Sequence, residues 1–158
     1  MRENAERFRV APEPTALIGE PTGGHLVSFV GVRKPKGADF AAVVSFYGIH
    51  DFVAFSTHYK GDSEVTECFM GEIRLTAISA LRFMNASPIS HVDEGVSLFL
   101  MIHGTKDEGV PFEQPTAMCA ALMTKGVECS VIEVDGGHGM DHWEPEPDLH
   151  HYKRQMVE

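Results

Sequence analysis

One short segment of the chain has the layout of a reactive turn. An apolar run at residues 15–19 ends in the letters GEPTGG, residues 19–24, and an apolar-periodic segment follows directly. A strand, a glycine-flanked turn and a helix in this order can present a nucleophilic serine in the pattern Gly-x-Ser-x-Gly. Here the central position, two residues after Gly19 and two before Gly23, is Pro21. Because proline fixes φ near −65° and has no reactive side-chain atom, this turn lacks both the nucleophile and the strained geometry that presents one.

Two other groups of side chains could do chemistry. Histidines and carboxylates near the C-terminus could bind a metal, although the surrounding glycines favour a loop, so no metal ligand is assigned; the group comprises His138, Asp141, His142, Glu144, His150 and His151. Cys119 and Cys129 fall on apolar positions and are typical of small buried side chains, and Cys68 has no evident histidine partner. The odd, unpatterned cysteines predict free thiols in a reducing compartment, which favours a cytoplasmic location.

Four apolar, β-branched runs must position these residues. They span residues 15–19, 40–48, 96–104 and 127–136, and the middle two are nearly continuous in apolar character, as in strands covered on both faces. Helical patterns lie between them at 24–32, 66–85 and 113–125, and a last one runs from about residue 146 to the end. In the 113–125 segment, Pro115 lies in the first turn and Gly126 is the C-cap. This alternation predicts a single α/β domain, residues 1–158, with a parallel sheet.

Composition narrows the range of partners. Hydrophobic residues make up 43% of the chain, and the formal net charge is −10. A surface this acidic repels phosphate backbones and anionic lipids, so we expect neither nucleic acid nor a membrane surface as a partner. No apolar run approaches the roughly 20 residues of a spanning helix, and the N-terminal letters MRENAERFRVAPEP contain no signal-peptide core. No cofactor is predicted.

Four segments in order resemble the C-terminal half of an α/β-hydrolase of the esterase/lipase type, the group that includes acetyl, acetylxylan and feruloyl esterases. IGEPTGGHL is similar to the Gly-x-Ser-x-Gly-Gly-His-Leu turn of this group. It is followed at matching spacing by AVVSFYGIHDF, by ASPISHV, and by LMIHGTKDEGVPFEQ with EVDGGHG. The resemblance implies a partial α/β-hydrolase fold of about four parallel strands with helices on both faces, without the N-terminal half of the family fold.

The resemblance also implies roles for Asp107 and His138. Asp107 matches the acid and His138 the base of the family's catalytic triad, and Pro21 stands at the nucleophile position. Asp107 and His138 should therefore lie within hydrogen-bond reach of one another, near Pro21. The other positions of the turn fall into two groups. Glu20 and His25 match positions that are usually structural in the family. The positions that match the family's elbow and oxyanion region are Gly19, Thr22, Gly23 and Gly24.

These features predict a relative of carboxylic-ester hydrolases that is inactive on its own. The family's other oxyanion donors lie in a His-Gly-Gly loop, and no such triplet occurs in the 158 residues. Losing one donor costs about 100- to 1000-fold in rate. Two alternatives stay open: a non-catalytic protein that binds a small acyl-ester-like ligand or a partner chain, and a truncated product without a selected function.

An assembly is expected as well. In the family fold, the strand at residues 15–19 would pair with a strand of the N-terminal half. An apolar strand at an open edge is a template for pairing with another chain. We therefore expect a homodimer in which two copies of this strand pair antiparallel, or, as a second choice, a complementing N-terminal chain at the same edge.

Overall fold

Four strands form one parallel sheet. The structure is a computed structural model that describes residues 4–9, 11, 13–36, 39–61, 63–71 and 75–156. The strands pair in the sequential order β1-β2-β3-β4, and each neighbouring pair is parallel. They are β1 (Ala16–Gly19), β2 (Ala42–Phe46), β3 (Leu98–Gly104) and β4 (Cys129–Val134). The predicted α/β fold class and all four predicted strands are confirmed, each strand ending within two residues of its predicted bounds.

Helices surround the sheet. They are α1 (Ala5–Phe8), α2 (Thr22–Arg33), α3 (Phe52–His58), α4 (Glu64–Met70), α5 (Ala80–Ala86), α6 (Glu113–Thr124), α7 (Met140–Trp143) and α8 (His151–Gln155). Two short 3₁₀ segments, Pro88–His91 and Pro147–Leu149, complete the elements. The helix predicted at 113–125 is confirmed as α6, and Gly126 adopts φ +71° just beyond its end, as a glycine after a helix C-terminus often does.

Alternating side chains of the sheet build two of the three apolar clusters of the described residues, and the third packs around Phe52 and Phe83. Val43 of β2 and Met101 of β3 pack on one face with residues of α2 and α6. Val44 and Ile102, their sequence neighbours, pack on the opposite face with Trp143 of α7 and Tyr152 of α8. Because successive residues of a strand point to opposite faces, the nearly continuous apolar runs are explained by burial on both sides.

The segment between β2 and β3 does not form the predicted helix at 66–85. It forms α4 and α5 instead, because Gly71 adopts φ +68° and ends α4 after Met70. Of the predicted apolar stripe, Met70 is buried, whereas Leu81 is 70% exposed. Ala77 and Met84 are exposed too, and Ile73 lies outside the described residues. The prediction of a single helix from regular apolar spacing is therefore wrong, because a glycine ends the helix within the predicted range.

The prediction of three free thiols is wrong. Cys119 of α6 and Cys129 of β4 form a disulfide, with their Cα atoms 5.4 Å apart, and Cys68 is free and exposed. The pairing joins a helix to the strand that follows it. The last predicted helix is likewise shorter than expected, since the segment begins as the 3₁₀ turn Pro147–Leu149 and continues as α8.

The first strand lies at the edge of the sheet. In the described part of the chain, β1 pairs with β2 alone. Leu17 packs against the α2 and α6 layer, but Ile18 points to the opposite face and is 59% exposed. Among the described residues, none of the helices is long and apolar enough to cross a membrane.

Candidate functional site

Asp107 and His138 meet at the C-terminal edge of the sheet. Asp107 follows β3, and His138 lies in the loop after β4. His138 Nδ1 is 2.8 Å from Oδ2 of Asp107, so the predicted hydrogen bond is confirmed. The other carboxylate oxygen, Oδ1, accepts hydrogen bonds from the backbone N–H groups of Gly109 and Val110, at 2.9 and 2.7 Å. This turn fixes the position of the carboxylate.

A second imidazole shares the same carboxylate, and sequence reasoning missed it. His103, in β3, is buried, and its Nε2 lies 3.2 Å from Oδ2 of Asp107 and 2.8 Å from the carbonyl oxygen of Val110. Burial opposes ionisation of Asp107. Hydrogen bonds from His103, His138 and the Val110 N–H outweigh it and hold the pKa of Asp107 well below its usual range. The carboxylate is therefore an anion at neutral pH. The i, i+4 spacing of His103 and Asp107 across a strand end was the available signal.

Hydrogen bonding also sets the form of the His138 ring. A carboxylate is an acceptor, so Nδ1 of His138 carries the proton and donates it to Asp107. Nε2 is then on the opposite side of the ring. The ring packs edge-on against Tyr47, with the centroids 5.0 Å apart. This is the arrangement that a histidine base needs in order to accept a proton from a hydroxyl group at Nε2.

The turn that precedes α2 has a proline at its centre. Pro21 has φ −66° and ψ −42°, an ordinary right-handed helical conformation, and Thr22 begins the helix. The backbone of the turn is nevertheless tightly packed. A Cβ added to Gly19 would lie 2.3 Å from the Gly23 carbonyl oxygen, and one added to Gly24 would lie 2.7 Å from that of Phe46. The glycines are thus required by close backbone contact.

Glu20 and Tyr47 connect this turn to the rest of the site. The hydroxyl group of Tyr47 donates a hydrogen bond to the Glu20 carboxylate and accepts one from the Met140 N–H at 3.2 Å. Burial, followed by the hydrogen bond to Glu20, raises the pKa of Tyr47, which keeps the phenol protonated. Tyr47 was not among the predicted site residues.

His25 has a structural contact, as predicted. Its Nε2 donates to the carbonyl oxygen of Ala86 at 2.9 Å, and the ring packs edge-on against Phe52 and Phe69 at 5.2 and 5.0 Å. Burial lowers the pKa of His25, so the ring is neutral. Its Nδ1 is buried without a hydrogen-bond partner.

A cavity of about 270 Å³ lies between the turn and the histidine loop. The lining side chains of the described residues are apolar, aromatic, hydroxyl-bearing or imidazole groups, and the main ones are Pro21, Thr22, His25, Phe52, Phe69 and His138. Phe52 and Phe69 stack with their centroids 5.0 Å apart. The cavity suits an uncharged, largely apolar ligand group beside His138.

The histidines near the C-terminus do not converge on a metal position. Glu144 binds Lys153 and Tyr152, both at 2.7 Å. His150 and His151 bind the backbone carbonyls of Glu144 and Glu133, at 3.0 and 2.8 Å. Within the part of the chain that the structure describes, no group of three or more His, Cys, Asp or Glu side chains could hold a metal ion.

Comparison with known proteins identifies a family and several relatives. The model of the BD-FAE family matches residues 1–122. The esterases LipQ and LipC of Mycobacterium tuberculosis are each 29% identical to the chain, over 149 and 154 residues. These matches cover 87% and 89% of this chain but 35% and 38% of the two relatives, so the chain spans little more than a third of their length.

A solved structure shows the same fold. A truncated form of a carbohydrate esterase from gut microbiota superimposes with a TM-score of 0.74 at 21% identity, covering 99% of this chain and 65% of that one. At this identity the match speaks for the fold alone. Together with the family match over most of the sequence and the relation to carboxylic ester hydrolases, it leads to one conclusion: the chain belongs to the BD-FAE family, among the α/β-hydrolases of the esterase type.

Proposed function

We propose that this chain binds a small, uncharged acyl ligand in the cavity beside His138 and does not form an acyl-enzyme. The observation that carries the proposal is Pro21, which lines the same cavity as His138 and stands where an esterase of this type has its nucleophile. His138 is supported by a buried, ionised Asp107, as a base would be, but position 21 offers it no hydroxyl group to activate.

The next residue does not replace the missing nucleophile. Thr22 carries a hydroxyl group and lines the cavity, but it is the first residue of α2, and in the family this position contributes its backbone N–H to the oxyanion hole. An oxyanion donor must point at the carbonyl oxygen rather than attack its carbon. The site is therefore proposed to hold an acyl group without cleaving it.

The size and lining of the cavity indicate the ligand class. A cavity of about 150 Å³ is enough to hold benzene, and this one measures about 270 Å³. The stacked Phe52 and Phe69 offer aromatic surface, and no carboxylate, ammonium or guanidinium group is among the lining side chains of the described residues. A benzoyl-sized or short aliphatic acyl ester fits this description, whereas a dianionic or strongly cationic ligand would lose hydration without compensation.

Two measurements on the purified chain test the proposal. Methyl benzoate, titrated into labelled protein and followed by NMR, should shift signals of residues around His138 and Phe69. Phe69→Ala should weaken this binding, whereas Leu81→Ala, which truncates a 70% exposed side chain away from the cavity, should not.

Turnover is measured in parallel with p-nitrophenyl acetate. We expect no hydrolysis above that of a control protein with exposed histidines. Saturable turnover that is blocked by a serine-directed inhibitor would overturn the non-catalytic proposal. Absence of any shift with methyl benzoate up to its solubility limit would overturn the proposed ligand site.

A further inference from the structure

We propose that Tyr47 is a positioning residue, which orients His138 and couples the β1–α2 turn to the loop that carries His138. The inference deepens the proposed function, because the two segments it joins are the walls of the proposed ligand cavity. It concerns a side chain that contacts the His138 ring by aromatic packing, separately from the Asp107 hydrogen bond.

The backbone holds Tyr47 in an unusual conformation. Tyr47 directly follows β2 and has φ +37°, in the left-handed region that favours glycine. Its N–H donates to the carbonyl oxygen of Ile102 in β3 at 2.9 Å, and the side chain is 2% exposed. Non-glycine residues are strained in this region and persist there where the surroundings determine them. Here the conformation places the phenol between the two walls of the cavity.

The hydroxyl group of Tyr47 bonds in two directions. It donates to the carboxylate of Glu20, the residue immediately before Pro21. It accepts from the N–H of Met140, two residues after His138. One hydroxyl group therefore joins the turn before α2 to the start of α7, and both of its hydrogen-bonding capacities are used.

The ring of Tyr47 contacts the segment that carries His138. Its centroid lies 5.0 Å from that of His138 and 5.2 Å from that of Trp143, in edge-to-face contacts at 65° and 89°. Trp143 in turn donates from Nε1 to the carbonyl oxygen of Gly137 at 2.8 Å. Asp107 fixes one nitrogen of the His138 ring, and Tyr47 fixes the plane of the ring. Together they set the direction of Nε2.

Tyr152 provides a matched control. It is also 2% exposed, and its hydroxyl group also donates to a carboxylate, that of Glu144, at 2.7 Å. It lies in α8 and packs in the same apolar layer as Tyr47 and Trp143, but it does not line the cavity. Tyr→Phe at either position removes one partly buried hydroxyl–carboxylate hydrogen bond, and at position 47 it removes the bond from the Met140 N–H as well. Tyr152→Phe therefore controls for the loss of the carboxylate bond.

The experiment compares Tyr47→Phe with Tyr152→Phe in labelled protein. We expect Tyr47→Phe to weaken methyl benzoate binding about 3- to 10-fold, the range that the loss of one hydrogen bond produces. It should also speed amide hydrogen exchange at Met140, whose N–H loses its acceptor. Tyr152→Phe should change neither quantity, even if it lowers the unfolding temperature as much.

Each remaining outcome decides the question. Unchanged affinity and unchanged Met140 exchange in Tyr47→Phe would overturn the inference, as would equal effects in both variants. If Tyr47→Phe does not fold, Glu20→Ala removes the acceptor of the Tyr47 hydroxyl from an exposed turn and should weaken binding in the same way. If the unaltered chain does not bind methyl benzoate, the proposed function fails, and Met140 exchange alone decides the role of Tyr47.

Discussion

Nδ1 of His138 lies 2.8 Å from Oδ2 of Asp107, and this bond links a partly exposed ring to a carboxylate with no exposed surface. The side chain of His138 is 34% exposed and that of Asp107 0%. Water can thus reach the imidazole but not the carboxylate, and the carboxylate depends on the protein for all of its hydrogen bonds. Removing the Asp107 carboxylate should therefore lower the stability of the fold as well as change the cavity.

Asp107→Asn should lower the free energy of unfolding by about 2–4 kcal/mol. The amide nitrogen of Asn would face one of the N–H groups that now donate to the carboxylate, and two donors cannot pair. Urea unfolding at pH 7 measures this. Asp135→Asn is the control, since that carboxylate is 70% exposed and pairs with Lys106 on the surface; it should cost less than about 1 kcal/mol. Equal effects of the two substitutions would contradict the buried network.

Stability should fall as the pH drops from 7.5 to 5. Burial, with smaller contributions from His103 and His25, lowers the pKa of His50 from 6.5 to about 3. Below pH 6.5 the unfolded chain binds a proton at His50 and the folded chain does not, so unfolding is favoured by about 2 kcal/mol at pH 5. His25, whose pKa is also lowered, acts in the same direction.

Urea titrations at the two pH values check this dependence. His50→Gln should flatten it, whereas His58→Gln, at an exposed position, should leave it unchanged. Asp107 does not contribute in this window: its pKa is lowered below the usual range, so its stabilisation is lost in more acidic solution. A stability independent of pH between 7.5 and 5 would show that His50 is accessible to protons in the folded chain.

Pro21→Ser should not restore esterase activity. The backbone at position 21 is helical, with φ −66°, and an attacking serine in the family's elbow requires a positive φ. The His-Gly-Gly triplet that supplies further oxyanion donors in the family is also absent from the sequence. We expect turnover of p-nitrophenyl acetate to stay within about 10-fold of the unaltered chain. Labelling of Ser at position 21 by a serine-directed phosphonate would contradict this.

Reduction of the disulfide should lower the unfolding temperature. The bond closes a short loop, with a sequence separation of 10, between α6 and β4. A loop of this size contributes about 2–3 kcal/mol, or about 5–10 °C for a chain of this length. Cys119→Ser with Cys129→Ser should reproduce the effect of a reducing agent. Cys68→Ser should have none, because that thiol is free and exposed.

The open side of β1 leads us to propose a homodimer. Ile18 is 59% exposed beside Val44, which is 8% exposed, so an apolar layer ends abruptly at the strand edge. Light scattering after size exclusion should give twice the chain mass at micromolar concentration. Ile18→Lys should give a monomer, whereas Ile78→Lys, at a 93% exposed position outside the sheet, should leave the dimer intact. A monomer in the unaltered chain would contradict the proposal.

The features that sequence predicted well are those that local pattern determines. The strands follow from apolar, β-branched runs, and α6 from Pro115 near its start and Gly126 after its end. The contact between Asp107 and His138 followed from resemblance. Features that depend on tertiary placement were missed, because no spacing in the sequence reports them: the second imidazole on Asp107, the two-sided hydroxyl group of Tyr47, and the Cys119–Cys129 bond.

The glycines before and within α2 have a consequence for how such sequences are recognised. Gly24 and Gly48 lie so close that a Cβ on Gly48 would be 2.8 Å from the Gly24 carbonyl carbon, and a Cβ on Gly19 would overlap Gly23. The start of α2 thus meets the end of β1 and the segment after β2 backbone to backbone. A larger residue at Gly19, Gly24 or Gly48 would force these backbone segments apart, whereas a Cβ on Gly23 would meet no atom within 4 Å. These glycines are therefore a signature of backbone packing rather than of reaction, and sequences collected by them alone share the scaffold whether or not they share the residue at position 21.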